Sequence, residues 1–309
     1  MIGPPGAGKT LLAQRLPSLL PPLTNSEMLE VASLESAAGR RPTASARRPF
    51  RSPQHTASVA ALIGGSAMRP GELSLAHLGV LFLDELPEFP RNALEALREP
   101  LESGTVVLAR LKRTYEYPAR FQLVAAMNPC PCGYAGDPRS RCRCTAEQVA
   151  RYKNRLSGPL IDRIDIHIEL MAVPPEQLMG HAVEQRKKAR GRAPRERGCA
   201  PESRDQVRAP ESSEVVAQRV AAARTRQFQR QGKLNARLTP TEVADFCALA
   251  ADSRALLRAA FARLGLSARG YHRVLKVART CADLRGDPDI QAMDIAEAVK
   301  LRALDRQTG

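Results

Sequence analysis

The hydrophobic pattern changes character twice along the chain. Up to about residue 179, short unbroken apolar runs alternate with helical periodicity. "GVLFLDE" holds an apolar run, Val80–Leu83, ending in two carboxylates, and "FQLVAAMN" holds a second that ends at Asn128. Runs of this length without polar alternation suit strands covered on both faces, as in a parallel sheet between helices. "RIDIHIEL" differs, because Ile164, Ile166, Ile168 and Leu170 alternate with Asp165, His167 and Glu169. That alternation predicts a strand with one wet face near the sheet edge. Leu94, Leu97 and Leu101 of "RNALEALREPLESG" recur at helical spacing, with a stop predicted near residues 100–104. Over residues 185–210 periodicity vanishes and Arg, Pro and Ser dominate, which predicts a linker or mobile loop. From about Glu211 the apolar positions return at helical intervals only. Tyr271, Val274, Leu275 and Ala278 form one face, and Asp294 followed by Glu297 predicts a capping box opening the last helix. The expectation is an α/β core over residues 1–180, a basic and disordered linker over 181–210, and a helical C-terminal domain over 211–309.

The first chemistry stands at the start. "GPPGAGKT" places Gly3, Pro4, Pro5, Gly6, Ala7, Gly8, Lys9 and Thr10 in the spacing of a phosphate-binding loop. Its backbone N–H groups curl around phosphate oxygens, and the helix starting near Lys9 aims its positive end at them. Lys9 is expected to bridge the β- and γ-phosphates of ATP and Thr10 to hold Mg²⁺. Such a loop follows a strand, which normally takes about five residues, yet only Met1 and Ile2 precede Gly3. A strand is expected to be missing. Asp84, at the end of its buried run, is the acidic partner that completes the Mg²⁺ shell. Glu85 has no metal duty and is the candidate general base for an attacking water. Asn128 would lie beside the phosphates as a polar sensor, although an Asn at a strand end is also a common turn residue.

Composition adds partners. Among 309 residues, the net charge of +15 favours a polyanion such as nucleic acid. "VVLARLKRTYEYPARF" reads as two strands around a turn, with Arg110, Lys112 and Arg113 at or near the tip, either gripping a DNA backbone or forming a solvated basic turn. No apolar run approaches the roughly 18 residues of a membrane span, and nothing after Met1 reads as a signal peptide, so a cytoplasmic protein is expected. Four of seven Cys crowd into residues 130–144 as C-P-C-x9-C-R-C: Cys130, Cys132, Cys142 and Cys144. Four thiolates from two short arms suit a closed, structural Zn²⁺ site. A redox-labile pair and unligated thiols are the alternatives. Cys199, Cys247 and Cys281 are scattered and read as packing or exposed thiols.

"GPPGAGKT", "GVLFLDELPEF", "LREPLESG", "YPARFQLVAAMNPCPCGY", "LSGPLIDRIDIHIEL" and "LSARGYHRVLKVARTCADL" together resemble the YifB/ComM family of magnesium-chelatase-like AAA+ ATPases. The resemblance spans nearly the whole chain. It implies an AAA+ P-loop core with a C-terminal helical lid, a homo-hexameric ring, and ATP hydrolysis driving a DNA branch-migration helicase. A chelatase-type motor remodelling a protein partner and a nucleotide-dependent switch are the alternatives. It also implies a Lon-protease-like domain before the P-loop, which would carry the missing strand, so a fragment or a late start is expected. By the same resemblance Arg163 is the arginine finger acting on the next protomer's nucleotide, with Arg155 its rival. Arg269 is the lid's sensor arginine, with Arg273 its rival. Gln54 stands where the resemblance leads us to expect a His beside His55, which leaves His55 a structural role.

Overall fold

The computed structural model describes residues 1–172 and 211–302, apart from 44, 66, 111, 112, 137–140 and 266. The predicted linker over 185–210 lies outside the described residues, as do Lys112 and Cys199. Three strands, β1 (Phe50–Arg51), β2 (Val80–Leu83) and β5 (Gln122–Ala125), pair in parallel in the order β1-β2-β5. Every residue of β2 is buried, as its unbroken apolar run requires.

Met1 and Ile2 extend the sheet beyond β5. Met127 donates its N–H to Met1 O at 2.9 Å, and Gly3 donates to Met127 O at 3.2 Å. On its other side Ile2 donates to Ile168 O at 2.8 Å and accepts from Leu170 at 2.7 Å. The strand expected to be missing is therefore represented by these residues, in the central position between Met127 and Glu169.

The outer segment corrects the expected faces. It is at the edge, as predicted, but Ile166 and Ile168 are exposed and His167 is buried. The cause is the end of the chain's helical part: His167 donates its N–H to Leu301 O at 2.6 Å, and the buried Arg302 donates to Ile164 O at 2.9 Å. That cover fixes which face is dry.

Helix α1 (Lys9–Leu19) packs on β2, and α4 (Glu72–Leu75) packs with α2 (Asn25–Ala37) and α3 (Val59–Ile63). The predicted leucine helix is two pieces, α5 (Arg91–Glu95) and α6 (Arg98–Ser103). Leu94 and Leu97 are buried in the main core with Leu81 and Leu83. Burial of such side chains contributes about 1.5–3 kcal/mol each. Gly104, at φ +73°, ends α6, and Pro100 lies inside it rather than terminating it. Strands β3 (Thr105–Arg110) and β4 (Arg113–Pro118) form the expected antiparallel hairpin, with Arg110 opposite Arg113. Two short helices follow, α7 (Ala146–Lys153) and α8 (Gly158–Ile161).

The helical part comprises α9 (Ser213–Gln231), α10 (Pro240–Phe246), α11 (Ala251–Leu264), α12 (Ala268–Arg285) and α13 (Ala292–Lys300). Val274, Leu275 and Ala278 of α12 enter its core with Tyr271 beside them. Helix α9 packs against both α1 and α12, so this part touches the phosphate-loop helix directly. The cap of α13 differs from expectation. Gln291 is the N-cap, and Asp294 closes the box from the third position by accepting from the Gln291 N–H at 2.8 Å.

Candidate nucleotide-binding site

Most longer helices here begin with a side-chain cap: Thr24, Thr145 and Thr239 open α2, α7 and α10 with capping boxes. Helix α1 does not. Gly8 precedes it at φ +80°, a left-handed conformation that glycine adopts without a Cβ penalty, and no side chain caps its first turn. The N–H groups of that turn are thus available to an anion, reinforced by the helix dipole.

The named side chains converge on this turn. Lys9 Nζ donates to Gly3 O at 2.7 Å, to Pro4 O at 3.0 Å and to Asn128 Oδ1 at 3.1 Å. Burial pulls the Lys9 ammonium below its ordinary pKa, while Asp84 and Glu85 pull the other way. Thr10 Oγ1 donates to Asp84 Oδ2 at 2.8 Å. Neighbouring oxygens around an octahedral Mg²⁺ with bonds of about 2.1 Å stand about 3 Å apart, so this pair fits two adjacent ligand positions. The sequence placed Lys9, Thr10, Asp84 and Asn128 together, and the fold brings them together.

Glu85 follows Asp84 at φ +54°, a backbone conformation rare for a residue with a side chain. Its own N–H donates to Asp84 Oδ1 at 3.0 Å, and the next N–H, of Leu86, reaches Ala126 O at 2.9 Å. Strain of this kind collects where a side chain must point in one direction. Here the carboxylate turns outward and meets His55 Nδ1 at 3.4 Å. His55 is therefore a neighbour of the candidate base.

The arginines occupy different places. Arg163 donates to Pro159 O at 2.6 Å and pairs with Glu102 at 2.8 Å, and Arg269, in the first turn of α12, pairs with the same Glu102 oxygen at 3.1 Å. Arg155 pairs with Glu88 at 2.7 Å and donates to Pro87 O at 3.1 Å, beside the turn that carries Glu85. Arg273 ties α12 to the core through Arg163 O at 2.8 Å and Asp165 at 2.6 Å. Sequence reasoning missed Glu102, which joins the two leading arginines. Nothing in "LREPLESG" distinguishes its acids from one another.

The four clustered cysteines come together. All four Sγ atoms lie within 4.8 Å of one another, with Cys130–Cys132 at 3.3 Å, Cys132–Cys142 at 3.6 Å and Cys130–Cys142 at 3.8 Å. Four thiolates about 2.3 Å from a tetrahedral Zn²⁺ stand about 3.8 Å apart, so the set fits that ion. The N–H of Ala135 donates to Cys130 Sγ at 3.2 Å, and the amides of Arg143 and Tyr134 hold the Cys132 thiol down to about 6. Cys247 is buried and Cys281 half-buried, each with its thiol pKa pushed up by burial.

The comparisons agree with this architecture. Residues 1–178 match the family model for magnesium chelatase, subunit ChlI, and residues 210–302 match the model for its C-terminal part. The chain is 48% identical to YifB of Escherichia coli K12 over 310 residues, covering 99% of the chain and 56% of that relative. It is 44% identical to the competence protein ComM of Haemophilus influenzae over 309 residues, covering 99% of the chain and 55% of the relative. A magnesium-chelatase subunit ChlI of Anabaena variabilis is 28% identical over 123 residues, 40% of the chain and 30% of that relative. The chain spans about half the length of YifB and ComM. It belongs to the YifB/ComM family of magnesium-chelatase-like AAA+ proteins. No described helix is long and apolar enough to cross a membrane.

Proposed function

We propose that the chain is the ATP-hydrolysing core of a ring-forming motor that moves along DNA, in the manner of a branch-migration helicase. The observation that carries the nucleotide reading is the convergence of Lys9, Thr10, Asp84 and Asn128 at the uncapped start of α1. In this reading, the P-loop amides and Lys9 take the phosphate oxygens, and Lys9 exchanges its bonds to Gly3 and Pro4 carbonyls for them. Thr10 and Asp84 would hold Mg²⁺, which would supply positive charge to offset that of the phosphates. Glu85 turns away from His55 to orient and deprotonate water. Arg163 supplies a cation to the nucleotide of the neighbouring protomer in a homo-hexamer, and Arg269, paired with the same Glu102, is the lid's sensor arginine.

Three observations support DNA as the track: the net charge of +15, the β3–β4 hairpin whose last described pair is Arg110 and Arg113, and the likeness to a protein named for competence. Cations on a hairpin grip phosphates without reading bases. The likeness to a magnesium-chelatase subunit favours a second reading, a motor that remodels a protein partner. Steady-state ATP hydrolysis separates them. DNA should stimulate turnover in a salt-sensitive manner, and stimulation by a protein partner but not by DNA would select the second reading. We also assign Cys130, Cys132, Cys142 and Cys144 as ligands of one structural Zn²⁺, with no ligand position left open for water.

A further inference from the structure

The cysteine cluster is built into the wall of the nucleotide site. Cys130 follows Asn128 by two residues, and Asn128 holds Lys9. The turn after Cys130 lies on the phosphate loop itself. At Gly133, with φ +86°, a Cβ would stand 2.8 Å from the Pro5 ring and 3.8 Å from Asn128 Cγ, so only glycine fits between the two. The second arm is anchored as well. Cys142 and Cys144 lead into Thr145, the N-cap of α7, and α7 carries the buried Tyr152. Tyr152 joins the main core cluster that also holds Met127, the residue before Asn128. The first arm is therefore tied to Asn128 and Pro5 directly, and the second to the main core through α7.

We propose that the four-cysteine centre, loaded with Zn²⁺, is a positioning element of the nucleotide site, so that affinity for a nucleoside triphosphate follows metal occupancy. The inference rests on the zinc assignment made above. Zinc holds the two arms at one distance. With that distance fixed, the turn at Gly133 keeps Pro5 in place and Asn128 stays within reach of Lys9 and a terminal phosphate. Without zinc the two arms lose the metal–sulfur bonds that join them, and their spacing is no longer fixed. The phosphate loop then loses its outer support. Because Asn128 stands where a terminal phosphate meets Lys9, the triphosphate suffers more than the diphosphate.

The test counts zinc per chain in protein purified under reducing conditions. It then measures ATP and ADP affinity for the zinc-loaded chain, the chain stripped with a mercurial and regenerated with thiol and chelator, and the stripped chain after zinc return. We expect one zinc per chain, ATP binding weakened about tenfold on stripping, the size of one lost charge-assisted hydrogen bond, a smaller change for ADP, and recovery on return. The variant Gly133→Ala, which keeps all four thiols, should retain its zinc and still bind ATP about tenfold more weakly. Absence of zinc removes the assignment and this inference together. One zinc per chain with ATP affinity unchanged on stripping or in Gly133→Ala overturns the inference alone. Equal loss of ATP and ADP binding with loss of helical circular dichroism also overturns it, because the centre would then serve the fold only.

Discussion

Glu85 combines a strained backbone with a carboxylate that no buried group holds in place. Both features suit the proposed role of a base that must approach water only when a nucleotide is seated. Glu85→Gln keeps the side chain's shape and removes its basicity. It should leave ATP binding intact and lower turnover by at least about 100-fold, measured by phosphate release; turnover at the parent rate would remove Glu85 from that role. Lys9 is different, because its ammonium is partly desolvated and tied to two P-loop carbonyls. Lys9→Ala should abolish ATP binding in equilibrium dialysis. At this scale the phosphate site was legible in sequence, since the spacing from Gly3 to Thr10 leaves few other structures and the carboxylates sit at the end of an unbroken apolar run. Glu102 and Gly133 were not legible. Their importance comes from what the fold brings against them, Arg163 and Arg269 in one case and Pro5 in the other.

Elements show where periodicity succeeds and where it fails. The buried run Val80–Leu83 and the leucines of α5 and α6 were readable because their own neighbours decide their burial. The segment around Ile166 was misread in its faces, because the cover over His167 comes from Leu301 and Arg302, far away in sequence. The start of α10 illustrates a local device that sequence alone specifies. Thr239 and Glu242 cap each other, and Lys233 Nζ pairs with Glu242 at 2.5 Å. Hydrogen bonding from Lys233 and from the Thr239 N–H pulls the Glu242 pKa down from 4.5 to about 2. A carboxylate with a depressed folded pKa adds stability that is present above the unfolded value and lost as pH falls through the folded one. The helical part should therefore lose stability between pH of about 4.5 and about 2. In Glu242→Gln that part of the acid dependence should be reduced, as followed by thermal melting against pH; an unchanged profile would contradict the pairing.

On the scale of the whole molecule, the helical part meets the core in several places: α9 lies along α1, the start of α12 meets Glu102, Arg163 and Asp165, and Leu301 and Arg302 cover the segment around His167. The proposed arginine finger implies a division of labour between protomers. On that proposal a Lys9→Ala chain should fail to bind ATP but offer its arginines, whereas an Arg163→Ala chain should bind ATP but lack the trans cation. Mixed, the two inactive variants should regain partial turnover; none in the mixture, with assembly shown by sedimentation, would place Arg163 outside the reaction. The most direct test of the account is ATP hydrolysis by the chain with Mg²⁺, across protein concentrations and with and without single-stranded DNA. The account predicts turnover per chain that rises with concentration as protomers assemble and rises further with DNA, and failure to bind or hydrolyse ATP under any of these conditions would contradict it.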